Sequence, residues 1–342
     1  MDIEILKRTA KEMVTPGKGI IAADESSGTC QKRFDAVGVE CTLESRRAYR
    51  TMMFETQGLE RYISGVILYD ETIRQKGSDG TPVPEILSRK GIIAGIKVDA
   101  GAKDLALHAG EKVTEGLDGL RERLAEYKTF GAKFAKWRAV ITIGNGIPSE
   151  ACIFANAHAL ARYAALCQEA DIVPIVEPEV LIDGEHTIEQ CFEATETTLE
   201  EVFEELAHQG VVAEGTILKA SMVIAGKKAP KQSTVEEVAD QTPRVLNATV
   251  PKNLAGIVFL SGGQGDEQAT AHLNAMNKRG TQPWPLSFSY SRAIQNPVLK
   301  KWAENPKANI KAAQDILLFR SKMNSLAAQG KYSDEMEKER PY

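Results

Sequence analysis

The chain has 342 residues, 43% of them hydrophobic and 26% charged, which is ordinary for a folded protein with a sizeable core. A formal net charge of −5 argues against a sequence-independent grip on nucleic acid and leaves room only for a local basic pocket. Five cysteines without a CxxC spacing and five scattered histidines without an HExxH pair offer no zinc or redox motif, so reduced thiols in a cytoplasmic protein are expected.

The chain opens with a charged amphipathic helix over residues 1–14, unlike a signal peptide. No apolar run approaches the ~20 residues that cross a bilayer, so no membrane partner is expected. Eight short apolar runs follow: Gly19–Asp24, Ile63–Tyr69, Gly91–Val98, Phe134–Ile143, Val173–Val180, Thr216–Val223, Gly256–Ser261 and Pro285–Ser289. Bounded by Gly, Pro or polar residues and mostly rich in Ile, Val, Leu or Phe, they read as buried parallel strands. Long amphipathic stretches separate them. Ser149 fits the N-cap of a helix running to about Glu169. Thr187–Gln190 forms a capping box that opens a helix continuing to His208 and stopping at Gly210. Ser233–Glu236 opens another in the same way. Eightfold strand–helix alternation predicts an α/β fold, a (β/α)8 TIM barrel, with a doubly wound sheet as the alternative. Without a linker or a break in composition, residues 1–342 read as one domain, and residues 333–342, charged and aperiodic, as a mobile tail.

Charged residues at the strand ends carry the functional signal, because the C-terminal ends of barrel strands face the active site. Asp24 closes the first run and fits a base, a partner for a substrate hydroxyl, or a simple Asx turn or helix cap. Lys97 and Asp99 share a face and suit an ion pair. Lys136 and Arg138 share a face on one strand, and Glu177 and Glu179 share a face on the next. Two cations facing two carboxylates inside a barrel make either a buried salt-bridge cluster or a reactive centre. Lys219 ends an apolar strand. A lysine there either snorkels to water or, where burial and a nearby cation favour the neutral amine, attacks a carbonyl. Ser261–Gly262–Gly263 leads from a strand into a Gly-rich loop whose backbone N–H groups suit a phosphate, and Arg292 follows the eighth strand as a clamp. An ordinary tight turn would also explain the glycine pair.

The ordered motifs GIIAADES, SGVIL, GIKVD, FAKWR, VPIVEPE, GTILK, FLSGGQ and SFSYSRA span nearly the whole chain. In combination they resemble the class I fructose-bisphosphate aldolases. The resemblance implies a metal-independent reaction needing no cofactor: reversible cleavage of fructose 1,6-bisphosphate to dihydroxyacetone phosphate and glyceraldehyde 3-phosphate, in glycolysis and gluconeogenesis. It implies that Lys219 forms the Schiff base, that Glu177 is the acid/base with Glu179 beside it, and that Lys136 supports the charge balance. Asp24 handles the substrate hydroxyl and Tyr342, the last residue, assists proton transfer. Ser261, Gly262 and Arg292 match the phosphate site nearest the Schiff base, joined by Ser289 on the eighth strand. Lys97, Ser26, Arg33 and Arg138 match the grip on the other end of the sugar. A homotetramer is the family expectation. Four departures stand out: Ser291 where the family often has Gly, Ala220–Ser221 where many members have Pro–Asn, Ala100 where a lysine is frequent, and a shorter tail. Competing expectations are a Schiff-base aldolase for another phosphosugar and a non-catalytic barrel scaffold.

Overall fold

The computed structural model describes residues 1–342. Its strands are β1 (Gly19–Ala23), β2 (Ile63–Leu68), β3 (Ile93–Lys97), β4 (Ala102–Asp104), β5 (Lys112–Thr114), β6 (Phe134–Ile141), β7 (Val173–Val180), β8 (Ile217–Ala220), β9 (Gly256–Phe259) and β10 (Leu286–Tyr290). Eight of them close a barrel in the order β1-β10-β9-β8-β7-β6-β3-β2, and every pairing in it is parallel. These are the eight apolar runs, so the barrel is formed and the doubly wound sheet is not.

The antiparallel pair β4–β5 was not expected. Its sequences, AKD and KVT, have no apolar alternation to announce them. Tertiary bonds hold it in place: Asn156 Oδ1 accepts from the Thr114 amide at 3.2 Å, and Thr114 Oγ1 donates to the Arg138 carbonyl at 2.8 Å.

Helix starts follow local chemistry. Asp2 caps the helix Ile3–Met13, Ser149 caps Glu150–Glu169, and Thr187 with Gln190 forms a complete capping box on Ile188–His208. The box expected at Ser233 is shifted by one residue. Thr234 is the cap and Glu237 its partner, because the Ser233 hydroxyl is taken by the Ala225 amide at 2.9 Å.

Two apolar bodies form. The larger lies between the strands and the outer helices. The smaller fills the lower barrel interior with Ile20, Ile67, Phe134, Val173, Ile175, Ile217 and Val258, closed from below by Leu6, Ala10, Met13 and Val14. Phe134 explains one glycine: a Cβ at Gly95 on the adjacent strand would overlap the Phe134 ring.

Residues 333–342 are docked, which corrects the expectation of a mobile tail. They contain the 3-10 turn Asp334–Glu339. The fully buried guanidinium of Arg320 donates to Glu337 Oε1 at 2.7 Å, and the Tyr332 hydroxyl donates to the same oxygen at 3.1 Å. A buried cation needs a carboxylate. Arg320 takes its close one from the tail, a requirement invisible in the tail's own composition.

Candidate active site

Along each barrel strand the inward positions climb from apolar to charged. On β6 the series is Phe134, Lys136, Arg138; on β7 it is Val173, Ile175, Glu177, Glu179; on β8 it is Ile217, Lys219. Residues two apart share a face, so one strand contributes both to the apolar plug and to the site above it.

The upper residues form a chain of alternating charge. Lys219 Nζ lies 3.0 Å from Glu177 Oε1, Glu177 Oε2 lies 3.2 Å from Lys136 Nζ, and Lys136 Nζ lies 2.6 Å from Asp24 Oδ2. Lys136, Glu177 and Lys219 are only 3%, 3% and 4% exposed. Such burial is sustainable because each charge faces its opposite.

Burial by itself would push Asp24 up, but the ammonium groups of Lys136, Lys219 and Lys97 outweigh it and hold the carboxyl down at about 2. The same contest at Glu177 is decided by Lys136, Lys219 and Arg138, which keep it below the usual glutamate value. Lys136 is raised above an ordinary lysine, the pull of Asp24 and Glu177 exceeding the burial penalty. Arg138 pairs with Glu179. Lys97 pairs with Asp99 at 2.9 Å, so the ion pair expected there forms.

These groups border a cavity of about 500 Å³ at the C-terminal end of the barrel. The structure brings together Asp24, Ser26, Arg33, Lys97, Lys136, Arg138, Glu177, Glu179, Lys219, Ser261, Gly262, Ser289 and Arg292 on its wall. It does not bring Tyr342 there. That hydroxyl donates to Asp266 Oδ2 at 3.1 Å, and its ring lies edge-on to Phe319, because the docked tail carries it along the outer helices.

The glycine turn borders the cavity beside Ser261. Gly262 and Gly263 have φ of 53° and 88°, backbone angles that glycine adopts without strain. Buried Gln264 closes the turn, its amide donating to the Ser261 carbonyl at 2.9 Å. The buried ring of His272 holds the Gln264 side chain at 2.6 Å. Ser289 Oγ is buried on the cavity wall with no partner in the protein. Arg292, exposed at the start of helix Arg292–Glu304, also borders the cavity.

Sequence reasoning missed Glu25, Thr29 and Lys32, which also line the cavity. Thr29 and Lys32 follow Ser26 at three-residue steps on one helix, a periodic signal that would have found them. Glu25 is a hub. It pairs with Arg33 and accepts from Ser291 Oγ at 2.6 Å and Gln295 Nε2 at 2.9 Å. Ser291 and Gln295 are 266 and 270 residues away and left no local trace. This hub also resolves the Ser291 departure. Ser291 has φ of −103°, which needs no glycine, and its hydroxyl is held by Glu25.

Comparison with known proteins gives the family. The family model described as fructose-bisphosphate aldolase class-I matches residues 5–341. The chain belongs to the class I fructose-bisphosphate aldolase family. It is accordingly a carbon–carbon lyase. It is 61% identical to a probable fructose-bisphosphate aldolase class 1 of Xanthomonas campestris, over 97% of this chain and 99% of that one. It is 50% identical to fructose-bisphosphate aldolase 1 of Toxoplasma gondii, over 96% and 90%. A solved fructose-bisphosphate aldolase from Plasmodium falciparum, in complex with TRAP and a small-molecule inhibitor, superposes with a TM-score of 0.95 at 47% identity, over 96% of this chain and 95% of that one.

Proposed function

We propose that this family member reversibly cleaves fructose 1,6-bisphosphate to dihydroxyacetone phosphate and glyceraldehyde 3-phosphate through a Schiff base on Lys219. The observation that carries the reading is the buried chain Lys219–Glu177–Lys136–Asp24 opening onto a cavity also lined by Arg33, Lys97, Arg138 and Arg292.

Lys219 transfers a proton to Glu177, 3.0 Å away, and the freed amine attacks the C2 ketone. Glu177 returns a proton to the carbinolamine hydroxyl, which leaves as water and gives a protonated imine. Asp24, kept ionised by Lys136, takes the proton of the C4 hydroxyl. The C3–C4 bond then breaks and its electron pair flows into the imine, producing an enamine and releasing glyceraldehyde 3-phosphate. Protonation at C3 and addition of water free dihydroxyacetone phosphate and restore Lys219. Lys136 and Glu179 hold the charge balance around Glu177. Ser261, Gly262, Ser289 and Arg292 receive the phosphate nearest the imine, and Lys97, Ser26, Arg33 and Arg138 grip the opposite end. The Tyr342 role that the resemblance implies would require the tail to leave its docked position. The family resemblance further supports a cytoplasmic homotetramer serving glycolysis and gluconeogenesis.

The test is mass spectrometry with peptide mapping after incubation with fructose 1,6-bisphosphate and borohydride. A reduced adduct on Lys219 is expected. An adduct on another lysine, or none while cleavage proceeds, would overturn the assignment.

A further inference from the structure

Lys227 has no part in the scheme above, yet two independent observations place it beside the glycine turn. The first is its anchorage. The loop after β8 is laced to the loop after β7: the amides of Gly226, Lys227 and Lys228 donate to the carbonyls of His186, Ile182 and Gly184 at 2.8, 2.9 and 2.9 Å. Glycine is required for this approach, since a Cβ at Gly226 would stand 2.5 Å from the Gly184 carbonyl oxygen. The backbone of Lys227 is thereby fixed relative to the barrel mouth.

The second is where its side chain goes. The point at which a Cβ on Gly263 would stand lies 2.5 Å from Lys227 Nζ and 3.5 Å from Arg292 Nη1. Two cations from different loops converge on one turn residue. Lys227 has only the exposed Asp183, at 3.5 Å, as a counter-charge. Like charges brought together repel, and an anion drawn between them relieves the repulsion.

We propose that Lys227 is a specificity-determining residue, a second cation beside Arg292 that draws the phosphate nearest Lys219 onto the Ser261–Gly263 turn. The inference rests on the assignment of that turn to the phosphate. The Lys227 side chain is 41% exposed and does not line the cavity, whereas Arg292 does. Its contribution is therefore to capture and retention of the dianion and not to bond breaking.

The experiment compares the full-length protein with Lys227→Gln, Lys227→Arg and Arg292→Gln. It measures steady-state cleavage of fructose 1,6-bisphosphate across salt concentrations, and inhibition by dihydroxyacetone phosphate against dihydroxyacetone. Lys227→Gln is expected to raise KM and the inhibition constant of dihydroxyacetone phosphate about five- to tenfold, with kcat within about twofold. It should also flatten the salt dependence of kcat/KM and leave dihydroxyacetone unaffected, while Lys227→Arg restores the wild-type values. Wild-type KM and salt dependence in Lys227→Gln, beside weakened phosphate binding in Arg292→Gln, would overturn the role of Lys227 alone. If Arg292→Gln also discriminates phosphate as the wild type does, the assignment of the turn fails and this inference with it.

Discussion

The lower and upper halves of the barrel interior come from the same strands and the same side-chain face, yet share almost no chemistry. Below, Phe134, Ile175 and Ile217 pack into an apolar plug with the first helix. Two residues further along the same strands, Lys136, Glu177 and Lys219 are buried as charges that one another and Asp24 sustain. Height along the strand thus divides stability from chemistry. Below, burial of apolar area favours the fold. Above, burial of charge is costly and is tolerated because each charge is paired.

Single substitutions should separate the halves. Lys219→Met removes the proposed nucleophile, and kcat/KM is expected to fall by at least about 10⁴-fold. The variant should still fold, because Glu177 keeps Lys136 as a partner, with a melting temperature lowered by the loss of one of the two cations facing that buried carboxylate. Turnover retained in a folded variant would break the distinction from the upper side. Phe134→Ala is the counterpart below. It opens a cavity where Gly95 makes room for the ring, and urea unfolding should show a loss of about 3–5 kcal/mol with KM unchanged. A large change in KM would mean that the plug also shapes the site.

A smaller effect is expected at His272, which joins the glycine turn to the helix behind it. Burial lowers its pKa from 6.5 to about 4. Between those values the unfolded chain binds a proton that the folded chain refuses. Stability is therefore full above pH 6.5 and declines as pH falls towards 4, by up to about 3 kcal/mol. His272→Gln should lessen the drop in urea midpoint from about pH 7 to about pH 5, and an unchanged slope would assign the acid sensitivity elsewhere. The smallest effect concerns the tail. With its hydroxyl on Asp266, Tyr342 is held outside the cavity, so deleting it should change stability by no more than about 0.5 kcal/mol. Proton exchange on dihydroxyacetone phosphate should stay at the wild-type rate. Slowed exchange would show that the tail leaves its dock during turnover.

Much of this was legible beforehand because it is written in local pattern. Eight apolar runs marked eight strands, and i, i+2 spacing placed Lys136 with Arg138 and Glu177 with Glu179 on shared faces. What escaped lacked a local signature. The Glu25 hub is assembled from residues at opposite ends of the chain. The β4–β5 pair is too short and polar to announce itself. The docked tail depends on a buried arginine in a different segment.

By itself, then, the sequence determined the barrel, its strand–helix alternation and the residue types at the strand ends, because hydrophobic periodicity and capping act over a few residues. Only the tertiary structure decided which charge faces which. Glu177 lies between Lys219 and Lys136, Ser291 is tied to Glu25, Lys227 meets Arg292 at Gly263, and Tyr342 lies outside the cavity. The physical reason is that a charge's partner is set by distance through space. Closing the barrel brings together residues that no spacing along the chain relates.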